Sequence, residues 1–525
     1  MEGLVRGFGD VVVTPHHHAT AAGLEVLAAG GNAVDAAIAA NAVQGVVAPE
    51  TCGVGGDLFA LVHGPGLDRP LALNASGPAG SGADADALLV AEGRMPLYGP
   101  DSVTVPGCVA GWTALHERLG TMPLGDLLAP AIRLAAEGIL ATEELTGALA
   151  RRGHELAGTP IAAELLPDAD TPRVGDRLPR PSLARTLELI AEHGRAGFYR
   201  GGVAKRVSVA VGGRITLEDL AGFEPEWVEP IGLDVLGLTG WTIPPNSQGY
   251  LTLAALGVLD LLDRSRGSAD DPALTLHREL EAYRVLAAER DALVADPAHA
   301  PVPPDSLLSA ERIARAADRV DDDRAGWFPS PSPTPGGTAY LCVVDRNGLG
   351  ISLIQSNFHG LGTTIPAGDA GFILHNRGGG FTLEPGHPNR LGPGKRPLHT
   401  LSPTIWTGGG RLRAVLGTRG GHQQPQLLVQ VARRLWADSH QPDAAQAAPR
   451  WTLDAFGPGT PSQPFVEGDL DPRVVEGLRV RGHDVTVAQA RVGGWGPVSV
   501  ITVGPDGLRS GAPDPRVRTS SAGAQ

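Results

Sequence analysis

The chain contains little cysteine. Only three cysteines occur among its 525 residues, Cys52, Cys108 and Cys342. They stand far apart and in no paired spacing, so the sequence predicts neither a disulfide scaffold nor a zinc site. No other pattern indicates a metal ion or a cofactor, and we expect the protein to use neither.

An excess of positive charge and a long apolar segment are also missing. Lysine and arginine number 43 against 57 acidic residues, a formal net charge of −14, so no broad basic surface is offered to nucleic acid or to an anionic membrane. No apolar run is long enough to span a bilayer, and residues 1–13 lack the apolar stretch of a secretory signal. The sequence therefore predicts a cytoplasmic protein without nucleic-acid or membrane partners.

Glycine and proline, by contrast, are abundant, with 72 and 45 residues. They favour many tight turns and a mixed α/β architecture. The length exceeds one ordinary hydrophobic core and predicts two domains or one large layered domain. Apolar spacing predicts helices over 20–29, 32–43, 109–119, 124–137, 251–262, 274–293 and 426–436. Thr216 is typical of a helix N-cap, and residues 58–62 predict a short buried strand.

The sharpest change in composition lies between residues 321 and 337, which read DDDRAGWFPSPSPTPGG. Its acids, prolines and glycines exclude a helix interior or a central strand, so this segment is predicted to be an exposed Pro-rich tether. Residues 338–356, TAYLCVVDRNGLGISLIQS, follow at once and form two β-type runs around Asn347-Gly348. This is a strong hairpin signal. The tether therefore leads directly into a buried hairpin.

The predicted hairpin brings two hydroxyl side chains together. With Asn347-Gly348 as a two-residue turn, Thr338 lies opposite Asn357 and one step from Ser356. Facing residues on paired strands are about 5 Å apart, which is within side-chain contact.

An isolated threonine is a poor nucleophile because no neighbouring group takes its proton. Cleavage of the Gly337–Thr338 peptide bond would free the α-amine of Thr338, whose pKa of roughly 8 suits it as the base for its own hydroxyl. Gly337 leaves the carbonyl open to attack, and an exposed tether can move away after scission. The alternative is an ordinary loop that enters a strand with a threonine at its edge.

A second feature also suits acyl transfer. Residues 417–425, GTRGGHQQP, precede an amphipathic helical pattern. The adjacent Gly420 and Gly421 would leave their backbone N–H groups open to an oxyanion. A simple glycine turn is the alternative.

Together these segments resemble the γ-glutamyltransferases (γ-glutamyltranspeptidase, glutathione hydrolase), which are N-terminal-nucleophile hydrolases. The resemblance begins in residues 12–59, VVTPHHHATAAGLEVLAAGG followed by NAVDAAIAANAVQGVVAPETCGVGGDLF. It continues in family order through 104–112 (TVPGCVAGW), 338–348, 395–404 (KRPLHTLSPT) and 417–421. Residues 352–381, SLIQSNFHGLGTTIPAGDAGFILHNRGGGF, are more similar to the bacterial γ-glutamyltransferase-like paralogues.

The resemblance implies an α/β (α+β) fold, a four-layer αββα sandwich of the N-terminal-nucleophile hydrolase type, made as one precursor. Self-cleavage before Thr338 would give a large (α) subunit, 1–337, and a small (β) subunit, 338–525. Thr338 falls at the family's nucleophile, Ser356 at the second threonine that holds the nucleophile's amine, and Gly420 and Gly421 at the oxyanion pair. The implied function is that of a self-processing hydrolase or acyltransferase. It would act through a threonyl acyl-enzyme on a γ-glutamyl or related acyl amide, with water or an amine as acceptor.

The carboxylate side of the expected donor pocket departs from the family pattern. Asn74 stands where the family has the arginine that binds the α-carboxylate of the γ-glutamyl group. His399 and Thr400 replace two serines that bind the same carboxylate. Asn cannot make the charged bidentate contact that Arg makes, so binding of a γ-glutamyl carboxylate at Asn74 would be weakened.

The amine side departs as well. Asn376 and Arg377 belong to the segment 375–381, HNRGGGF, in which Gly380 occupies the position of the ammonium-binding acid. Arg377 would repel an ammonium and attract an acid. We therefore expect Arg377, with His399, to favour an acyl group that ends in an acid and lacks the amine.

Two alternatives stay open beside a γ-glutamyl enzyme. One is a retuned member that cleaves another acyl bond, or a carbon–carbon bond, in a secondary-metabolite pathway such as antibiotic biosynthesis. The other is an uncleaved, inactive relative that acts by binding. The remaining motifs have ordinary interpretations: 16–18 as a helix start, 53–56 as a turn, 321–323 as a solvated charge run, and Cys342 as part of the core.

Overall fold

Two seven-stranded antiparallel sheets face each other in the computed structural model, which describes residues 3–331, 336–454 and 461–525. The strand order of the first sheet is Val5–Gly7, Arg509–Ala512, Val498–Val503, Arg411–Thr418, Thr404–Gly408, Leu238–Thr242 and Ile231–Val235. The strand order of the second is Ser521–Ala524, Val11–Thr14, Gly337–Val344, Gly350–Phe358, Asp57–His63, Leu71–Ala75 and Glu226–Val228. Buried side chains of both sheets, among them Phe59, Tyr340 and Val415, form a shared core.

Helices cover the outer face of each sheet. The second sheet packs against His17–Ala28, Ala33–Val47, Cys108–Leu119, Leu124–Glu137, Glu143–Arg152, Pro181–His193 and Gly201–Ala210. The first sheet packs against Tyr250–Arg266, Pro272–Ala287, Ala310–Ala317, Gln424–Trp436 and Pro472–Val480. Each set of helices shares an apolar core with its own sheet. The architecture is the four-layer αββα sandwich that the resemblance implied, so this prediction is confirmed.

Shorter elements complete the chain. The short helices are Ala85–Glu92, Ala162–Leu165, Arg195–Tyr199, Leu217–Gly222, Arg290–Leu293 and Pro442–Ala447. Two small sheets contain Trp451–Asp454, Gln463–Val466 and Thr486–Val487 in one case, and Ile139–Leu140 and Arg177–Leu178 in the other. Among the residues that the structure describes, no helix has the length and apolarity needed to cross a bilayer.

Most of the predicted helices are present, and their caps follow ordinary rules. Thr216 accepts a hydrogen bond from the backbone of Asp219, whose side chain bonds back to Thr216 in a capping box. The prediction of one helix over 274–293 is wrong, because the long helix ends at Ala287 and a separate short helix spans Arg290–Leu293.

The predicted tether lies partly outside the described residues, which omit 332–335. Its residues 321–331 contain no helix and no strand beyond an isolated bridge, as expected. Trp327 is 67% exposed there, whereas the neighbouring Phe328 is buried against the helices that cover the first sheet. Part of the tether thus packs against the body of the protein. At its end the prediction of an exposed tether is wrong, because Gly337 is buried and already belongs to the strand Gly337–Val344.

The hairpin around Asn347-Gly348 is present, but its predicted register is wrong by one residue. Thr338 pairs directly with Ser356, and a bulge lies between Gly337 and Thr338. The turn is longer than two residues: the backbone N–H of Gly348 donates to the carbonyl of Asp345, and Gly348 then adopts φ +85°. A type I turn followed by a left-handed glycine has this geometry. The Asp345 carboxylate accepts from the backbone N–H groups of Asn347 and Leu349 and holds the turn in place.

The strand Gly337–Val344 lies in the middle of the second sheet. Its neighbours are Val11–Thr14 on one side and Gly350–Phe358 on the other. The chain before position 338 and the chain after it therefore share both sheets and both cores. A division into 1–337 and 338–525 stays a prediction, and it would leave two chains that remain interleaved.

Candidate active site

The glycine run beneath the hairpin is a close-packing device. A Cβ atom at Gly56 would overlap the backbone carbonyl of Ser356, and one at Gly55 would overlap that of Ile373. The chain from Cys52 to Asp57 can therefore pass directly under the end of the strand Gly350–Phe358 only because Gly55 and Gly56 have no side chains.

Thr338 and Ser356 are in hydrogen-bond contact at the start of the strand Gly337–Val344. Their hydroxyl oxygens are 3.0 Å apart, and both side chains are buried. Ser356 Oγ is also 2.6 Å from the carbonyl oxygen of Gly337, the residue before the expected cleavage point. The hairpin therefore joins the expected nucleophile and the bond it would attack through one serine.

The neighbours of Ser356 decide the direction of these hydrogen bonds. Its oxygen receives the backbone N–H of Phe358 at 2.8 Å and lies 3.4 Å from Nη2 of Arg377, both of which can only donate. The carbonyl of Gly337 can only accept, so the single Ser356 proton points to it. Thr338 must then donate its own hydroxyl proton to Ser356.

Two glycines before Thr338 lie against two backbone segments. A Cβ atom at Gly336 would overlap the backbone nitrogen of Gly421, and one at Gly337 would be 2.5 Å from the backbone nitrogen of Gly360. Gly421, like Gly420 before it, is left-handed, with φ values of +57° and +122°. The structure thus brings the predicted cleavage site and the predicted oxyanion glycines together.

An open cleft reaches the bond between Gly337 and Thr338. Its volume is about 440 Å³. The lining residues are Glu50, Thr51, Glu143, Glu144, Gly147, Ala148, Arg151, Gly336, Gly337, Thr338, Gly360, Arg419, Gly420 and Gly494. Small molecules can therefore approach the bond from this side without any rearrangement of the core.

Arg377 lies behind Ser356, on a short turn that follows Asn376. Its Nη2 is 3.4 Å from Ser356 Oγ, its Nη1 is 3.4 Å from Thr400 Oγ1, and its guanidinium stacks 4.2 Å from the ring centre of Phe358. The side chain is fully buried, and burial lowers the pKa of Arg377 to about 9 against the opposing charge of Asp57. The guanidinium still carries its charge at neutral pH.

Asp57 was not identified from the sequence, yet it organises the polar cluster. Its Oδ2 lies 3.1 Å from Nε2 of His399, 3.5 Å from Nδ1 of His375 and 3.7 Å from Nε of Arg377. Its Oδ1 accepts from the backbone N–H of Gly77. Burial alone would raise the pKa of Asp57, but His375, His399 and Arg377 together hold it below its ordinary value.

His399 is a neutral partner of Asp57. Burial and the charge of Arg377 lower the pKa of His399 to about 3, so the ring carries no charge near pH 7. Its Nε2–H donates to Asp57, while its Nδ1 faces the backbone N–H of Leu401 at 3.4 Å. The attraction of an acid in this cluster therefore comes from Arg377 and not from a charge on His399.

Asn74 and Asn376 are buried and already hydrogen bonded within the protein. Asn74 Nδ2 donates to Asn246 at 2.9 Å, and its Oδ1 accepts from Ser76 at 2.7 Å. Asn376 Nδ2 donates to the carbonyl of Leu97 at 2.9 Å. These partners occupy both amides in the uncut chain, so contact of either side chain with a substrate stays a prediction.

Sequence reasoning also missed His375 and Glu50 as members of the site. His375 donates its Nε2–H to the carbonyl of Thr104 at 2.9 Å. Glu50 lines the cleft beside the Gly337–Thr338 bond. A usable signal did exist for Asp57, because an acid that opens the otherwise apolar strand DLFALVH has to be buried with a partner. Within the described ranges, no group of three or more His, Cys, Asp or Glu side chains is arranged to hold a metal ion.

Comparison with known proteins agrees with this geometry. A family model described as Gamma-glutamyltranspeptidase matches residues 19–524. The oxamate amidohydrolase proenzyme of Klebsiella pneumoniae is 36% identical over 524 residues, which cover 98% of each chain. The glutathione hydrolase-like YwrD proenzyme of Bacillus subtilis is 33% identical over 523 residues, again 98% of each chain.

A solved structure supports the same assignment. The cephalosporin acylase from Bacillus halodurans matches with a TM-score of 0.92 at 33% identity, covering 100% of this chain and 97% of that one. The match spans the full length of the chain, both sheets and both helical layers included. The chain therefore belongs to the gamma-glutamyltranspeptidase family and is a hydrolase of the N-terminal-nucleophile class.

Proposed function

We propose that this chain is a proenzyme that cuts itself before Thr338 and then hydrolyses amides of short acids. The acyl group forms an ester on Thr338 while its free carboxylate binds Arg377. One observation carries the proposal: Ser356 Oγ is 3.0 Å from the Thr338 hydroxyl and 3.4 Å from the Arg377 guanidinium. A fixed, buried cation thus lies next to the nucleophile.

Self-cleavage uses the hydrogen bonds around Ser356. Thr338 Oγ1 attacks the carbonyl carbon of Gly337 as its proton passes to Ser356 Oγ, and the Ser356 proton passes to the carbonyl oxygen. The tetrahedral product is neutral, so no external base is required. When the C–N bond of this tetrahedral product breaks, the Thr338 nitrogen takes up a proton. The hydroxyl on the tetrahedral carbon loses its proton and becomes the carbonyl of an ester. Water then hydrolyses the ester between Gly337 and Thr338 and leaves a free amine on Thr338.

Turnover then follows the chemistry of an N-terminal nucleophile. The freed amine of Thr338 accepts the proton of its own hydroxyl as that oxygen attacks the substrate carbonyl. The backbone N–H groups of Gly420 and Gly421 face the developing oxyanion in the space that Gly337 vacates. The amine of the substrate leaves, and water hydrolyses the ester to release the acid.

The position of Arg377 favours a short acyl group. The contacts of 3.0 Å and 3.4 Å through Ser356 place Arg377 Nη2 no more than about 6.4 Å from Thr338 Oγ1. A carboxylate one to three carbons from the reacting carbonyl spans this interval. The similarity to the oxamate amidohydrolase proenzyme of Klebsiella pneumoniae supports the same class, because oxamate is the monoamide of the shortest diacid.

The cluster offers no place for the ammonium of a γ-glutamyl group. Gly380 stands where the family has the acid that binds this ammonium. The buried acid that is present, Asp57, is already hydrogen bonded to His399 and to the backbone of Gly77. A charge-assisted contact contributes about 1.5–3 kcal/mol, so its loss lowers affinity by roughly 10- to 150-fold. Glutathione is therefore expected to be a poor substrate.

A substrate panel tests this proposal. The processed wild-type protein is incubated with oxamate, succinamate, glutaramate, a γ-glutamyl amide and the uncharged butyramide. We expect kcat/KM to be at least about tenfold higher for the best diacid monoamide than for the γ-glutamyl amide. A γ-glutamyl amide that proves the best substrate by a wide margin overturns the proposal.

Two variants serve as controls in the same panel. Thr338→Ala is expected to remain a single folded chain without turnover. Arg377→Met is expected to lower kcat/KM for the diacid monoamides by about 100-fold while butyramide changes little. Equal loss on charged and uncharged substrates would show that Arg377 does not recognise the carboxylate.

A further inference from the structure

A buried acid in the wall of the cleft has no assigned task. Glu50 is only 6% exposed, and its Oε2 has no hydrogen-bond partner among the described residues. Its backbone carbonyl packs against Gly337, since a Cβ atom on Gly337 would lie 3.1 Å from that oxygen. Glu50 therefore lies beside the bond that the nucleophile attacks.

The other acids of the cleft differ from Glu50 because each has an arginine partner. Glu144 accepts from Arg419 at 3.0 and 2.5 Å, and Glu143 pairs with Arg518 at 2.8 Å near the surface. The buried Arg180 donates to the backbone carbonyls of Val46 and Gly371. Arg419 and Arg180, the two cations that lower the pKa of Glu50, thus make hydrogen bonds to other groups.

Burial keeps the Glu50 carboxyl protonated. It raises the pKa of Glu50 to about 8, and the negative charge of Glu144 adds to this effect, while a hydrogen bond from the backbone N–H of Glu50 itself and the charges of Arg419 and Arg180 oppose it. At pH 7 the side chain is mainly a neutral acid with one proton to donate. A group with a pKa near the working pH is well suited to proton transfer.

The orientation of the substrate directs its leaving group toward this acid. In the proposed substrate orientation, the acyl carboxylate would bind Arg377, which is fully buried behind Ser356. The reacting carbonyl would then lie beside Thr338, near Gly421. The amine is then the part that faces the open cleft, whose wall includes Glu50.

We propose that Glu50 is a catalytic acid that protonates the nitrogen leaving the tetrahedral intermediate. This inference rests on the proposed function. The C–N bond breaks, the nitrogen takes the Glu50 proton, and the amine departs neutral, while the Thr338 amine keeps the proton it took from the hydroxyl. In the second half of the cycle, water attacks the Thr338 ester and gives a proton to the Glu50 carboxylate. Thr338 Oγ1 leaves with the proton of its own ammonium, so both groups return to their starting states.

The experiment compares two substrates of one diacid, its monoamide with an alkylamine and its thioester with an alkylthiol. A thiolate can leave without taking up a proton, whereas an amine must be protonated to leave. In Glu50→Gln we expect kcat/KM for the amide to fall by about 100-fold or more and kcat/KM for the thioester to change less than about threefold. Glu143→Gln, the same substitution at a 63% exposed position of the cleft, is expected to leave both rates unchanged.

Every other outcome is informative. Equal loss on amide and thioester in a processed Glu50→Gln protein overturns the role of Glu50. A folded Glu50→Gln chain that stays uncut while Glu143→Gln cuts normally supports it, because expulsion of the Thr338 nitrogen also requires a proton; melting curves establish that the chain is folded. If wild-type protein turns over neither substrate, the proposed function fails instead.

Discussion

Asp57 Oδ2 and Arg377 Nε lie 3.7 Å apart, and neither side chain reaches solvent. One residue precedes the expected cleavage point and the other follows it, so this ion pair would join the two subunits that cleavage would produce. The pair holds the guanidinium with its Nη1 and Nη2 turned to Thr400 and Ser356. Under the proposed function, substrate specificity and the cohesion of the two chains would depend on the same buried charges.

Removal of the Asp57 charge is expected to destabilise the protein. Asp57→Asn leaves Arg377 as an unpaired buried cation, which costs about 3–5 kcal/mol in the free energy of unfolding. Chemical denaturation of the uncut Thr338→Ala background measures this loss without interference from processing. Arg377→Met added to Asp57→Asn is expected to recover part of it, because the unpaired charge is then gone. Two losses that simply add would show that the residues are not coupled.

Self-cleavage is expected to require the hydroxyl of Ser356. Ser356→Ala removes both the hydrogen bond to the Gly337 carbonyl and the acceptor for the Thr338 proton, so the rate of conversion to two bands should fall by about 100-fold or more. Ser356→Thr keeps the hydroxyl and should cleave within about tenfold of wild type. The rates are measured on denaturing gels after purification of the uncut chain. Normal processing of Ser356→Ala would exclude the proton transfer proposed for Ser356.

The glycine before the cleavage point is expected to be required for reasons of space. Gly337→Ala places a Cβ atom 2.5 Å from the backbone nitrogen of Gly360, which is too close for any unstrained contact. The tether then shifts away from the nucleophile, and self-cleavage slows. The control is Gly494→Ala, since Gly494 also lines the cleft but a Cβ atom there meets nothing within 4 Å. Equal gel-band conversion in both variants would contradict this account.

Restoring the family's acid at Gly380 is expected not to restore γ-glutamyl turnover. A Cβ atom at Gly380 would lie 2.7 Å from the carbonyl oxygen of Leu398, so an aspartate cannot enter without movement of the backbone. We expect Gly380→Asp to raise kcat/KM for a γ-glutamyl amide by less than about threefold, well below one charge-assisted contact. A rise of tenfold or more, with the diacid activity retained, would show that a single residue separates the two specificities.

His399 is expected to make the protein less stable in acid. Its pKa is about 3 in the folded protein and about 6.5 when unfolded. Between these values the unfolded chain binds more protons, so stability falls as pH falls below 6.5. His399 thereby lowers the free energy of unfolding by about 1 kcal/mol for each pH unit below 6.5. The free energy of unfolding is measured by denaturation at several pH values between 7 and 4. It should fall more steeply with falling pH for wild type than for His399→Gln. An equal fall in both proteins would mean that His399 does not titrate in this way.

The sequence alone predicted the fold, through the family resemblance, and most of its helices; Thr338 as the nucleophile stays a prediction. The helices, the hairpin and the contact between Thr338 and Ser356 follow from local patterns, because periodicity, turn residues and strand pairing act over short distances. Even an error of one residue in register left Thr338 beside Ser356.

Only the tertiary structure decided the electrostatics of the site. Asp57 is 342 positions from His399 and 320 from Arg377 in the chain, and no local pattern indicates that the three side chains meet. Their burial makes His399 neutral and leaves Arg377 as the charge near Thr338. The raised pKa of Glu50 is likewise a property of the packed molecule, since the pKa of a carboxyl depends on solvent and charges supplied by distant parts of the chain.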